Sequence, residues 1–206
     1  MTKIKICGLR RTEDIKYANE FKPDFIGFVF YKPKFRYIPF DKAADLRSGL
    51  DKNIKPVGVF VNEPVENIIS LLKDGIIDSA QLHGDESEDY IREVKDKTGK
   101  KVIKAFTADS FENMKKAENS RADFILLDNG KGTGKSFDRK YLEGFGRPYF
   151  LAGGLSPENV YDNIISRRPF AVDVSTGVET DKFKDRDKIK KFMSEVKRAD
   201  ETISKN

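Results

Sequence analysis

Eight short apolar runs, spaced along the chain at a near-constant interval, constrain the fold more than any other feature. They are KIKIC (3–7), FIGFVF (25–30), PVGVFV (56–61), SAQLH (79–83), KVIKAF (101–106), DFILLD (123–128), PYFLAG (148–153) and FAVDVS (170–175). Most are rich in Val, Ile and Phe, and their length suits strands. Longer segments with helix signals lie between them. In DESEDYIREVKDK, Asp85 or Ser87 can cap a helix whose apolar stripe is Tyr90, Ile91 and Val94. NEPVENIISLLKDG starts at Asn62, carries Pro64 in its first turn and stops at Gly75. LSPENVYDNII offers Ser156 as a cap, with Pro157 at the first helical position. DRDKIKKFMSEVKRA gives a last helix with Ile189, Phe192, Met193 and Val196 facing inward.

Strand–helix alternation repeated eight times predicts an α/β chain with a parallel sheet. With 206 residues, each unit has about 26, which fits a minimal (β/α)8 TIM barrel, a single domain over residues 1–206. An open doubly wound sheet is the competitor. It would carry G-x-G-x-x-G after the first strand, where this chain has GLRRTED. No Pro/Gly/Ser-rich linker or low-complexity tract interrupts the pattern.

Hydrophobic residues make up 38% and charged residues 35%, which predicts a soluble globular chain. No apolar stretch approaches the ~20 residues that span a bilayer, so no membrane partner is expected. MTKIKICGLRR lacks a signal-peptide h-region, and a single cysteine allows no internal disulfide. A cytoplasmic location follows as the expectation. Net charge is +5, and the basic residues alternate with acids, as in DKFKDRDKIKKF. That pattern argues against nucleic acid and leaves room for an anionic ligand.

In a barrel of this type the loops after the strand C-termini build the site. Cys7, His83 and Asp128 each end a strand and can exchange protons. One histidine excludes a His-rich metal site, so no metal is expected. LAGGLSPEN places Gly153 and Gly154 after the seventh strand, and VSTGVE places Ser175, Thr176 and Gly177 after the eighth. Loops at these two strands are where such barrels hold phosphate. NGKGTGKS (129–136) nearly reads as a P-loop, but its first glycine is replaced by Asn129. Its Gly132, Thr133 and Gly134 read instead as a glycine-rich lid that meets substrate.

The stretches KICGL, GFVFYKPKFRYI, VGVFVN, QLHGDE, LLDNGKGTGKSFD, LAGGLSPENV and VDVSTGVE occur in this order. Together they closely resemble the phosphoribosylanthranilate isomerase family of tryptophan biosynthesis. The resemblance implies a (β/α)8 barrel that performs an Amadori rearrangement of a phosphosugar–anthranilate substrate without cofactor, as a monomer or homodimer. It implies Cys7 as general base, Asp128 as general acid and Arg36 as the group that meets the anthranilate carboxylate. His83 is placed in the pocket without a required proton transfer. Two departures stand out. Lys34 and Phe35 occupy the place of a common Ser-Pro, and Asp181 and Lys182 that of a Pro-Gly. A different phosphosugar-barrel enzyme and a non-catalytic phosphate-binding barrel are the rival readings.

Strand alternation adds one expectation. If Cys7 points into the mouth, Lys5 lies inside the barrel beneath it, with Ile4 and Ile6 against the helices. A buried lysine needs a partner. Closure brings the eighth strand beside the first, so Asp173 is the expected partner, with Lys5 lowering the thiol pKa.

Overall fold

A computed structural model describes residues 1–128, 139–142 and 144–205, the side chains of 139 and 140 excepted. Eight parallel strands close into a barrel in sequence order. They are β1 (Lys3–Cys7), β2 (Phe25–Val29), β3 (Lys55–Phe60), β4 (Ser79–Leu82), β5 (Lys101–Thr107), β6 (Phe124–Asp128), β7 (Tyr149–Ala152) and β8 (Ala171–Val174). Each matches an expected run to within one or two residues. Closure is direct, with β1 pairing β8 in the register that sets Lys5 opposite Asp173.

The outer layer holds α1 (Thr12–Phe21), α2 (Phe40–Ser48), α3 (Val65–Lys73), α4 (Glu88–Thr98), α5 (Phe111–Asn119), α6 (Val160–Arg167) and α7 (Arg186–Lys205). After β6 the described residues hold a 3-10 turn at Arg139–Leu142. Ser87 caps α4 by accepting from the Tyr90 amide at 3.2 Å, which settles the choice left open with Asp85. Two helix starts differ from expectation. Pro64 is the N-cap of α3 rather than a residue of its first turn. Val160 begins α6, because Ser156 and Pro157 are used in a preceding turn that Asn159 bridges back to the Ser156 amide.

Alternation along the strands builds two apolar regions. Ile4, Ile6, Ile26, Leu82 and Val172 pack outward against the helices. The barrel's lower interior is aromatic. Phe25, Phe124, Phe150 and Phe170 interlock with centroids 5.2–5.8 Å apart, in edge-on and stacked contacts. All four sit at or near the strands' N-terminal ends. The charged interior pair Lys5–Asp173 and the Gln81 amide lie nearer the mouth.

After β8 the chain makes a short hairpin, β9 (Glu179–Thr180) and β10 (Phe183–Lys184), before entering α7. Asp181 and Lys182 form its turn, with φ of 51° and 66°. A two-residue hairpin turn of this kind needs positive φ at both central positions. No described helix is long and apolar enough to cross a membrane.

Candidate active site

Cys7 ends β1 with its side chain in the mouth, packed by Val29, Val59 and Tyr31. Its partner on β2 is Gly27. A Cβ at Gly27 would lie 2.6 Å from the Cys7 Sγ, so the thiol occupies space that only glycine leaves. Directly below, the Lys5 Nζ donates to Asp173 Oδ2 at 2.9 Å. The two side chains are 0% and 8% exposed, as the alternation argument required.

Burial pulls the Lys5 ammonium down, but Asp173 and then Cys7 outweigh it, so Lys5 stays charged. Burial pushes the Cys7 thiol up, against the pull of Lys5 and Lys184, with Asp173 adding to the rise. The expectation that Lys5 acidifies the thiol thus holds for its own contribution and fails for the sum. A neutral thiol is cheaper to bury than a thiolate.

On the far side of the mouth, His83 Nε2 faces Asp128 Oδ2 at 3.5 Å. Gln81, two residues before His83 and also inward, sets its amide nitrogen 3.3 Å from Nδ1. Water reaches 38% of the His83 side chain, yet surrounding atoms crowd the concave mouth. That desolvation lowers the imidazole pKa, while Asp128 pulls it back up. The ring is therefore neutral at pH 7. The β4–α4 loop carrying it is fixed by a second buried ion pair, Lys104 Nζ to Glu86 Oε2 at 2.7 Å. Glu86 also accepts from the Asn62 and Gly84 amides, which ties the β3–α3 loop to the same anchor.

Arg36 reaches the mouth from the β2–α2 loop. Its Nε and Nη2 donate to the two oxygens of Glu179 at 2.8 and 2.6 Å, and Nη2 also meets Thr176 Oγ1 at 2.9 Å. The Phe35 ring covers its guanidinium at 4.2 Å. The two sequence departures meet here. The Lys182 ammonium lies 5.8 Å from the Phe35 ring, and Arg10 bridges them by lying over that ring and donating to the Lys182 carbonyl.

The candidate phosphate loops lie side by side. Gly153 and Gly154 both have positive φ. A Cβ at Gly177 would collide with the Leu155 carbonyl oxygen, so loop seven and loop eight pack backbone to backbone. The Ser175 and Thr176 hydroxyls are turned to the protein: Ser175 donates to the Cys7 carbonyl at 2.9 Å, and Thr176 accepts from Arg36. The Ser175 proton is committed to that carbonyl, whereas Thr176, an acceptor here, keeps a hydroxyl proton to donate. Gly132, Thr133 and Gly134 lie outside the described residues.

Sequence reasoning missed Gly27, Gln81, the Lys104–Glu86 pair and the Glu179–Lys184 pair. For Gln81 the signal was available, since its alternation with His83 puts both inside. Among the described residues, no group of three or more His, Cys, Asp or Glu side chains could hold a metal ion.

A parallel eight-stranded barrel whose mouth gathers a thiol, an imidazole–carboxylate pair and two glycine-shaped loops defines a class, the (β/α)8-barrel enzymes of acid–base chemistry. Residues 4–195 match the family described as N-(5'-phosphoribosyl)anthranilate (PRA) isomerase, and the chain belongs to that family. An N-(5'-phosphoribosyl)anthranilate isomerase of Thermoanaerobacter sp. (strain X514) is 48% identical over 201 residues, covering 96% of this chain and 98% of the relative. A crystal structure of phosphoribosyl anthranilate isomerase in complex with reduced 1-(o-carboxyphenylamino)-1-deoxyribulose 5-phosphate superposes with a TM-score of 0.85. It is 38% identical and covers 96% of this chain and 100% of that one. Monomers of the dimeric Thermotoga maritima isomerase, also 38% identical over 96% and 100% of the two chains, give 0.86.

Proposed function

We propose that this isomerase acts on N-(5-phosphoribosyl)anthranilate, with Cys7 as general base and Asp128 as general acid. The reaction is an Amadori rearrangement of tryptophan biosynthesis, giving 1-(2-carboxyphenylamino)-1-deoxyribulose 5-phosphate. The observation that carries the assignment is the buried thiol above the Lys5–Asp173 pair, set in the same mouth as the Asp128–His83 contact.

Asp128 gives a proton to the furanose ring oxygen. The C1′–O bond breaks, its electron pair goes to that oxygen, and the nitrogen lone pair forms a protonated Schiff base. The Cys7 thiolate removes the C2′ hydrogen, and the released pair forms the C1′=C2′ bond of an enolamine. Tautomerisation protonates C1′ and leaves the ketone at C2′. Burial disfavours the thiolate in the resting site, and the iminium charge favours it when it is needed.

Arg36 takes the anthranilate carboxylate. Glu179 holds its Nε–Nη2 edge, so Nη1 is the side turned to substrate. The backbone of Gly153–Gly154 and of Ser175–Gly177 takes the phosphate. The chain works as one cytoplasmic domain. Both a monomer and a homodimer suit the reading, since the Thermotoga maritima relative is dimeric and yields monomers.

Turnover followed by loss of substrate fluorescence tests the assignment. Cys7→Ala and Asp128→Asn should each lose about 10²- to 10⁴-fold in kcat while still binding a reduced product analogue. Near-full activity in either variant would remove that residue from its role.

A further inference from the structure

Lys184 is a buried ammonium that the reaction above does not use. Its side chain, on β10, is 1% exposed. The Nζ lies 2.7 Å from Glu179 Oε1 and 3.1 and 3.4 Å from the carbonyl and hydroxyl oxygens of Ser175. Ser175 Oγ in turn donates to the carbonyl of Cys7. Glu179 Oε1 is shared with Arg36 Nε. An unbroken set of hydrogen bonds therefore joins Arg36, Glu179, Lys184, Ser175 and the strand end that carries the thiol.

Stability alone does not explain such a lysine, because a buried ion pair is often no better than apolar side chains of the same volume. Charge does. The Lys5–Asp173 pair beneath Cys7 sums to zero. The group beside it, Arg36, Glu179 and Lys184, has two cations on one carboxylate and keeps one positive charge. In the resting site, the uncompensated positive charge beside Cys7 belongs to this second group, and Lys184 is its fully buried member.

We propose that Lys184 is a positioning residue for the isomerisation, placing a buried ammonium beside Cys7 that stabilises its thiolate. The proposal rests on Cys7 being the base. The other groups facing the thiol are Lys5 on its own strand and Asp173 on β8, with His83 on the β4 side and Asp128 on β6 across the mouth. β2 and β3 contribute Gly27, Val29 and Val59, and Tyr31 follows β2. Lys184 Nζ itself lies against Glu179, which also holds Arg36, and against Ser175, whose hydroxyl meets the Cys7 carbonyl, while Arg11 reaches only the Lys184 carbonyl. Burial pulls the Lys184 ammonium below its ordinary value, with Glu179 and then Cys7 pulling it back up, while on the thiol Lys184 joins Lys5 in pulling down against burial.

The chain has one cysteine, so iodoacetamide alkylation against pH reads this thiol alone, in the resting enzyme and independently of catalysis. In Lys184→Met the alkylation midpoint should rise by about one pH unit, and kcat/KM at pH 7 should fall about tenfold. The activity loss should shrink as pH is raised. Lys184→Gln gives the same reading if the methionine variant does not fold. Lys184→Arg, which keeps the charge, should hold the wild-type midpoint. An unmoved midpoint in Lys184→Met or Lys184→Gln, a Lys184→Arg shift equal to theirs, or an activity loss equal at every pH would overturn the proposal. Failure of the base assignment shows separately, as turnover surviving Cys7→Ala.

Discussion

Gly27 and Cys7 are cross-strand partners in which the absent side chain of one is the space filled by the sulfur of the other. Alanine at position 27 would put a methyl 2.6 Å from Sγ, inside van der Waals contact. Either the thiol turns or the strands separate. Overpacking of this size costs ~1–3 kcal/mol, and a reacting group displaced by 1 Å can lose about 10²-fold in rate. Gly27→Ala should therefore lower kcat about 100-fold with KM little changed, measured by steady-state kinetics. A change confined to KM would place the thiol elsewhere during catalysis.

Burial sets the sign of the pH dependence. The base must be a thiolate, and its folded-state pKa lies above the ordinary 9.0. The thiolate fraction of free enzyme then grows as pH rises. The rate of Cys7 alkylation by iodoacetamide, which reads the thiolate alone, should climb through neutrality and still be rising above it. A plateau already present at pH 7 would show a thiol far more acidic than its surroundings allow.

Phe35 covers one face of the Arg36 guanidinium at 4.2 Å and is itself 44% exposed. A cation–π contact at an exposed site contributes ~0.5–1 kcal/mol. Phe35→Ala should loosen the guanidinium without touching proton transfer, raising KM about threefold with kcat unchanged. Parallel kinetics with Phe35→Leu, which keeps bulk but loses the ring, separate the cation–π contribution from simple packing.

Lys182 holds φ at 66° in the hairpin turn. The left-handed region costs a side chain ~1–2 kcal/mol, and glycine's greater freedom when unfolded takes back ~0.5–1. The difference favours Lys182→Gly by about 0.5 kcal/mol, or about 1–2 °C in Tm for a chain of this size. Thermal unfolding measures it. A lower Tm would show that the lysine's contact with the Phe35 ring outweighs the backbone strain.

Local pattern carried most of the fold. The eight strands were visible because each is a short apolar run, and Cys7, His83 and Asp128 were visible because barrel sites gather at strand ends. The Lys5–Asp173 pair followed from alternation plus closure, both regular over the whole chain. What escaped depends on contacts between irregular segments. Glu179 and Lys184 lie in a hairpin whose importance appears only when Arg36 arrives from a loop 143 residues away in sequence. Ser175 and Thr176 were read as part of a phosphate loop through its backbone N–H groups, and sequence does not show that the Ser175 hydroxyl turns to the Cys7 carbonyl or that Thr176 meets Arg36. The net displacement of the thiol pKa was misjudged for a related reason. A neighbouring charge can be guessed from register, whereas the weight of burial depends on every atom that surrounds the sulfur. The starts of α3 and α6 shifted because Asn, Ser and Pro serve turns and caps equally well.

The four interlocked phenylalanines at the strands' N-terminal ends fix how the site meets solvent. They fill the barrel's lower interior, with Phe150 fully buried among the other three, so the open approach for water to the reacting sugar is from the loops above. A protonated Schiff base hydrolyses when water reaches its carbon. The fidelity of the rearrangement, isomer formed against substrate lost to hydrolysis, is therefore set where that approach lies, at the upper rim. Changes in the aromatic layer would alter melting and leave that ratio alone.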